Sequence, residues 1–160
     1  MLKSRLVLQD LKTGPVPGGE LFASTPSPAT IRLQLAVASY LMSRDERPHI
    51  AAILDVTQAF PNAALDEGDE VIVMLPGEVQ GLKVPTPFGE FTLSALDPYA
   101  RGRALYGYRK SPRLWQQHAY GVLKLCKLKQ SKVDPTLWYD MARSLLLVLY
   151  VDDMQVTGPR

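Results

Sequence analysis

Three aspartates carry the chemistry that this sequence can offer. Asp152 and Asp153 stand side by side where an apolar run, Leu145 to Val151, gives way to the alternation Met154-Gln-Val-Thr157. The pattern predicts a strand, a tight turn and a second strand, with both carboxylates at the tip. Two adjacent negative charges at the end of a buried strand cost free energy unless something positive sits beside them. A divalent cation bound through carboxylate oxygens meets that need. The third aspartate, Asp55, closes another apolar run, Ile50 to Leu54, about a hundred residues earlier. Alone at a strand end it reads as a turn former or helix cap. With the other two it becomes a candidate ligand. Phe60, five residues further on, is either a wall of the same pocket or a core residue.

Between these aspartates lies the most basic stretch, Arg101 to Trp115, with five Arg or Lys among its fifteen residues. Arg109, Lys110 and Arg113 are interleaved with Tyr106, Tyr108 and Trp115. Guanidinium groups bind phosphate by bidentate contact, and aromatic rings stack on bases or sugars. Gly107 leaves room for close approach to a bound ligand. Taken alone, such a stretch is as readily an ordinary surface. Near the N-terminus Lys3 and Arg5 share one face of a short strand pattern. They are either a phosphate-contacting pair or the solvated side of an edge strand. Asp66-Glu67-Gly-Asp69-Glu70 lacks the alternating oxygen ligands and closing glutamate of a calcium loop and reads as a solvated acidic turn.

The elements that must position these groups follow from periodicity. Ser27-Pro28, a hydroxyl cap followed by proline, predicts a helix start. Ile31, Leu35, Ala38 and Met42 form its apolar stripe, widened by Leu33, Val37 and Leu41, so this helix is expected to be well buried. Ile50 to Leu54, bounded by proline, predicts a central strand, and Val71 to Leu75 another. Ser111-Pro112 predicts a second helix, with Trp115, Ala119, Val122, Leu123 and Cys126 on its apolar side. Asp134 to Tyr139 reads as a turn into a strand. Residues 78–100 are broken by proline and glycine, and their pattern gives no clear element.

At 160 residues the chain is about one domain, with 46% hydrophobic and 21% charged residues. A net charge of +2 leaves any nucleic-acid argument to local clustering. The one cysteine, Cys126, excludes an internal disulfide and reads as a small buried hydrophobe rather than a reactive thiol. No signal peptide is evident at Met1-Leu-Lys-Ser-Arg5, and no apolar run approaches the roughly 20 residues of a membrane span.

Carboxylates on two strand ends with basic and aromatic residues between them suit two-metal phosphoryl transfer. The set also resembles a known family. Tyr150-Val-Asp-Asp153 looks like the catalytic box of reverse transcriptases, and Asp55-Val-Thr-Gln-Ala-Phe60 resembles their first aspartate motif. Leu105-Tyr-Gly-Tyr-Arg-Lys-Ser-Pro-Arg-Leu-Trp115 is similar to a segment of copia-type retrotransposon polymerases. Lys3-Ser-Arg-Leu-Val7, Ser27-Pro28 with Thr30-Ile-Arg-Leu33, Met74-Leu-Pro-Gly77 and Gln130-Ser-Lys-Val-Asp-Pro135 match in the same order. Two departures are plain. Thr57 stands where the family has a basic residue, and Pro61-Asn-Ala63 where it has Leu-Asn-Gly.

The resemblance implies an α+β fold over residues 1–160, the fingers and palm of a polymerase. A small antiparallel sheet would carry the aspartates, with helices packed on one face; thumb and RNase H would be absent. It implies that Asp55, Asp152 and Asp153 are catalytic and bind two Mg²⁺ ions, with Mn²⁺ as a substitute, Asp55 and Asp152 being the principal ligands. Phe60 would exclude a ribose 2′-hydroxyl. Lys3, Arg5, Tyr106 and Gly107 would border the incoming nucleotide. Arg109, Lys110, Arg113 and Tyr150 would contact nucleic acid. The implied activity is RNA-directed DNA synthesis on an RNA or DNA template-primer from deoxynucleoside triphosphates, weak or absent in a chain of this extent. The implied setting is intracellular, a cytoplasmic particle or the nucleus, with RNase H and integrase segments as further partners and no membrane. A different class, a repurposed fragment that binds nucleic acid without catalysis, fits the altered residues after Asp55. A metal-dependent nuclease would explain the aspartates but neither Phe60 nor the 106–113 segment.

Overall fold

The computed structural model describes residues 7–8, 10, 21–44, 48–69, 71, 73–74, 77–86, 89–92, 96–97 and 102–160. α1 (Pro28–Arg44) starts at the expected place. The Ser27 hydroxyl accepts the Thr30 backbone N–H at 3.1 Å, which satisfies one orphan donor of the first turn. β1 (His49–Asp55) and the single-turn α2 (Ala59–Asn62) follow. β2 (Val73–Met74), β3 (Lys83–Thr86), β4 (Gly89–Thr92) and β5 (Leu96–Asp97) make two small ribbons, β2 with β5 and β3 with β4. Of the strand expected over Val71 to Leu75, Val73 and Met74 form a ribbon with β5 outside the main sheet, and residues 72 and 75 lie outside the described residues. α3 (Ser111–Leu125) then leads to β6 (Lys129–Gln130), β7 (Leu137–Asp140), β8 (Leu145–Tyr150) and β9 (Asp153–Pro159).

The main sheet has five antiparallel strands in the order β1-β9-β8-β7-β6. The fold is α+β, as expected, and the hairpin at its heart is the one the alternation predicts. Among the described residues β1 lies at the edge, not in the centre. Its apolar run suggested burial on both faces, yet Ile53 is 77% exposed and Leu54 51%.

Helices cover both faces of this sheet, not one. Strand alternation puts Trp138, Leu147 and Leu149 on one face, where they pack with Leu114, Trp115, Ala119 and Leu123 of α3. Val148, Thr157 and His49 fall on the other face and are buried too. α1 is the helix in contact with β1, β8 and β9 there. Thr30, Gln34 and Ala38 of this helix are buried, while Ile31, Leu33, Leu35 and Met42 of the expected stripe are exposed. Hydrogen bonding decides the rotation of the helix. The Gln34 amide donates to the Gln155 carbonyl at 2.8 Å, and the Thr30 hydroxyl donates to Asp134.

Asp134 ties the start of α1 to the entry of β7. Its carboxylate also accepts the Thr136 hydroxyl at 2.6 Å, the Thr136 backbone N–H at 2.9 Å and the Ser27 N–H at 3.3 Å. Burial alone would raise the pKa of this carboxyl. The hydrogen bonds from Thr136, Thr30 and Ser27 outweigh it, and the pKa falls below the ordinary value. At the start of α3 the Ser111 hydroxyl donates to the Leu105 carbonyl at 2.6 Å, so it fastens the preceding segment instead of capping. Cys126, expected to be buried, is exposed just past the end of α3. No helix among the described residues is long and apolar enough to cross a membrane.

Candidate functional site

β1 and β9 pair so that Asp55 lies directly opposite Asp153, and β8 places Tyr150 opposite Asp153 in turn. Residues opposite one another in an antiparallel ladder share a face, with Cβ atoms about 4.5–5.5 Å apart. Asp55, Asp153 and Tyr150 therefore form one row across the open end of the α1 face. All three are exposed, and Asp152 is half-buried in the turn. Among the described residues no cationic side chain pairs with Asp55, Asp152 or Asp153. Two like charges held opposite each other in this way are destabilising. The chain neighbours Val56 and Met154 face the other side, where they line an apolar cavity of about 290 Å³ with Trp115, His118 and Val122.

The backbone around the aspartates is strained in two places. Val151, in the hairpin turn, has φ 52°, and Gln58, just before α2, has φ 54°. The left-handed region costs an L-residue roughly 1–2 kcal/mol, and a β-branched side chain there is an outlier. The turn is held from two directions. Its Val151 carbonyl accepts the Trp115 indole N–H at 2.6 Å, and its Asp152 carbonyl accepts the Val56 backbone N–H at 2.9 Å. The second bond carries the β1–β9 pairing one step beyond Asp55, so Asp152 joins the same corner.

A second part of the site sits next to α2. Ala64 and Arg103 form a bridge, Ala104 donates to the Ala63 carbonyl at 2.9 Å, and Leu65 donates to the Gly102 carbonyl at 3.0 Å. This brings the 102–108 segment alongside α2, where the Phe60 and Tyr106 rings meet with centroids 4.8 Å apart. Gly107 has φ 88°, and a Cβ there would overlap the Leu8 carbonyl oxygen. Leu8 also donates its N–H to the Tyr106 carbonyl at 2.8 Å. The close approach that Gly107 permits among the described residues is to the chain's own backbone at Leu8.

No protein-family model and no solved structure matches this chain.

The donor set suits a hard divalent cation: carboxylate oxygens, accessible, and uncommitted to any cation of the protein among the described residues. The backbone brings three carboxylates to one corner. Their side chains are not gathered into a three-ligand cluster among the described residues.

The basic segment departs from expectation. Lys110 is 2% exposed, and its ammonium donates to both oxygens of Asp69 at 2.8 and 2.9 Å. Arg109 donates to Asp10 at 2.9 Å, and Arg113 pairs with Asp66. The three cations that sequence reading assigned to nucleic acid are compensated by protein carboxylates and anchor the segment instead. The acidic turn at 66–69, read as merely solvated, supplies two of those partners. Tyr108 donates to Asp69 at 3.2 Å. Burial, and then the Asp69 charge, push its phenol up to about 12. Lys3 and Arg5 lie outside the described residues.

Trp115 and Asp69 were missed as contributors. Trp115 carried the signals of an apolar helix position and of a stacking aromatic, neither of which points to a bond with the hairpin turn. For Asp69 the usable signal was charge balance: an acidic turn and a basic segment of similar size in one small domain.

Proposed function

We propose that this chain is the fingers-palm part of a copia-type RNA-directed DNA polymerase. The observation that carries the reading is the register of β1 on β9, which sets Asp55 against Asp153 beside the Asp152 turn. The reaction is attack of a primer 3′-hydroxyl on the α-phosphorus of a deoxynucleoside triphosphate. A P–O bond forms, the bond to the β-phosphate bridge breaks, and pyrophosphate leaves.

Asp55, Asp152 and Asp153 are the residues that would hold Mg²⁺, or Mn²⁺ in its place. When bound, such cations stabilise the charge on the attacking and leaving oxygens. Phe60, braced by Tyr106, bars a 2′-hydroxyl. Tyr150, on the carboxylate face, packs against the primer end. Arg109, Lys110 and Arg113 keep the Tyr106 segment in place instead of gripping phosphate. RNase H and integrase segments, and an intracellular setting, belong to the same reading.

The test is incorporation of a deoxynucleotide into a DNA primer on an RNA template with Mg²⁺. Asp55→Asn or Asp152→Asn is expected to lower the rate by at least about a thousandfold, since cation stabilisation is worth several kcal/mol. A second reading, nucleic-acid binding without catalysis, draws on the carboxylates not being gathered into one cluster among the described residues. Template-primer binding with no extension by the wild-type chain would favour it.

A further inference from the structure

We infer that Trp115 is a positioning residue for Asp152, acting through the strained peptide at Val151; the inference rests on the proposed cation role of Asp152. A valine with φ 52° persists only where its surroundings over-determine it. Here the Val151 carbonyl is the acceptor of the Trp115 indole N–H at 2.6 Å. Trp115 is 4% exposed and stands in the second turn of α3, so the donor is fixed by the core and not by solvent. The Val151 carbonyl belongs to the peptide unit whose nitrogen is that of Asp152. Fixing its direction fixes the direction in which the Asp152 side chain leaves the backbone. The Val56 N–H holds the far side of the residue through the Asp152 carbonyl. Asp152 is thereby held from both sides, by α3 and by the strand that bears Asp55.

A buried indole usually finds an acceptor for its N–H, and a merely structural role for Trp115 would be met by any. The two roles separate in a rescue experiment. Trp115→Phe keeps an aromatic ring in the core and deletes the donor. Val151→Gly removes the penalty on positive φ, so the turn no longer needs the indole to hold it. Mn²⁺ affinity of the full chain is measured by the electron paramagnetic resonance signal of free Mn²⁺. Trp115→Phe is expected to weaken binding about tenfold, equivalent to about 1.4 kcal/mol. Adding Val151→Gly is expected to restore it to within about threefold. Unchanged affinity in Trp115→Phe, or a loss that Val151→Gly does not mend, would overturn the inference.

If the wild-type chain binds no Mn²⁺, the cation reading falls. The positioning role is then decided by the Asp152 amide resonance in a ¹⁵N–¹H spectrum. It is expected to move in Trp115→Phe and to stay in place in Leu125→Ala, a control at an exposed position of the same helix. An Asp152 resonance unmoved in Trp115→Phe would sink the inference, as would one that moves equally in the control. Where phenylalanine leaves the core too loose to fold, a benzothienyl side chain at position 115 keeps the ring volume and lacks the N–H, and it faces the same outcomes.

Discussion

Asp55 and Asp153 face each other across the β1–β9 ladder with no cationic side chain beside either among the described residues. Opposed carboxylates in a ladder repel, at a cost of roughly 0.2–1 kcal/mol. Without divalent cations, Asp153→Asn is therefore expected to unfold at a higher temperature than the wild type. Added Mg²⁺ is expected to raise the melting temperature of the wild type more than that of the variant, which keeps Asp55 and Asp152 but loses one ligand, because a bound ligand shifts stability by mass action. Thermal unfolding of both proteins with and without Mg²⁺ checks this. A variant less stable than the wild type in the absence of cation would contradict it.

What the sequence disclosed and what it hid have physical reasons. The hairpin was legible because a long apolar run, a polar turn and a second alternation admit few other structures. The start of α1 was legible because Ser27-Pro28 is a local device. The buried face of α1 was not. It is set by Gln34 and Thr30 reaching partners more than a hundred positions away, and an apolar stripe says nothing of that. β1 looked central because composition reports apolarity, not which edges are paired. Lys110 looked available because nothing local reveals that Asp69 will bury it.

The Lys110–Asp69–Tyr108 cluster makes a prediction about pH. The Tyr108 pKa is raised above its ordinary 10.0 to about 12. A group raised on folding contributes stability that is present below its unfolded value and lost as pH rises through the folded one. Ultraviolet titration of the phenolate is expected to show one tyrosine with a midpoint near 12, moving back toward 10 in Asp69→Asn. The absence of any late-titrating tyrosine would refute the assignment. Lys110→Ala, which strands Asp69, is expected to cost about 1–3 kcal/mol in urea unfolding.

Gly107 cannot be replaced without moving Leu8. A Cβ would overlap the Leu8 carbonyl, and φ 88° is itself unfavourable for an L-residue. Gly107→Ala is expected to destabilise the chain by about 1–3 kcal/mol. Chemical denaturation gives the value, and a change below about 0.5 kcal/mol, the range of neutral surface substitutions, would count against the contact.

Asp134 gives the opposite pH sign. Its pKa lies below the ordinary 3.8, so its contribution is present above that value and lost as pH falls through the lower folded one. Asp134→Asn is expected to cost about 1–3 kcal/mol at neutral pH, where it weakens the bonds from Thr136, Thr30 and Ser27. The gap between variant and wild type is expected to narrow only below pH 3.8. Urea unfolding across that range measures it; a gap that is the same at every pH would contradict the role of the charge.

Primer extension on an RNA template bears most directly on the central claim, that the Asp55–Asp153 corner with Asp152 performs nucleotidyl transfer. The expected result is Mg²⁺-dependent addition of deoxynucleotides by the wild-type chain, abolished in Asp55→Asn and in Asp152→Asn. Extension that survives either substitution undiminished would contradict it.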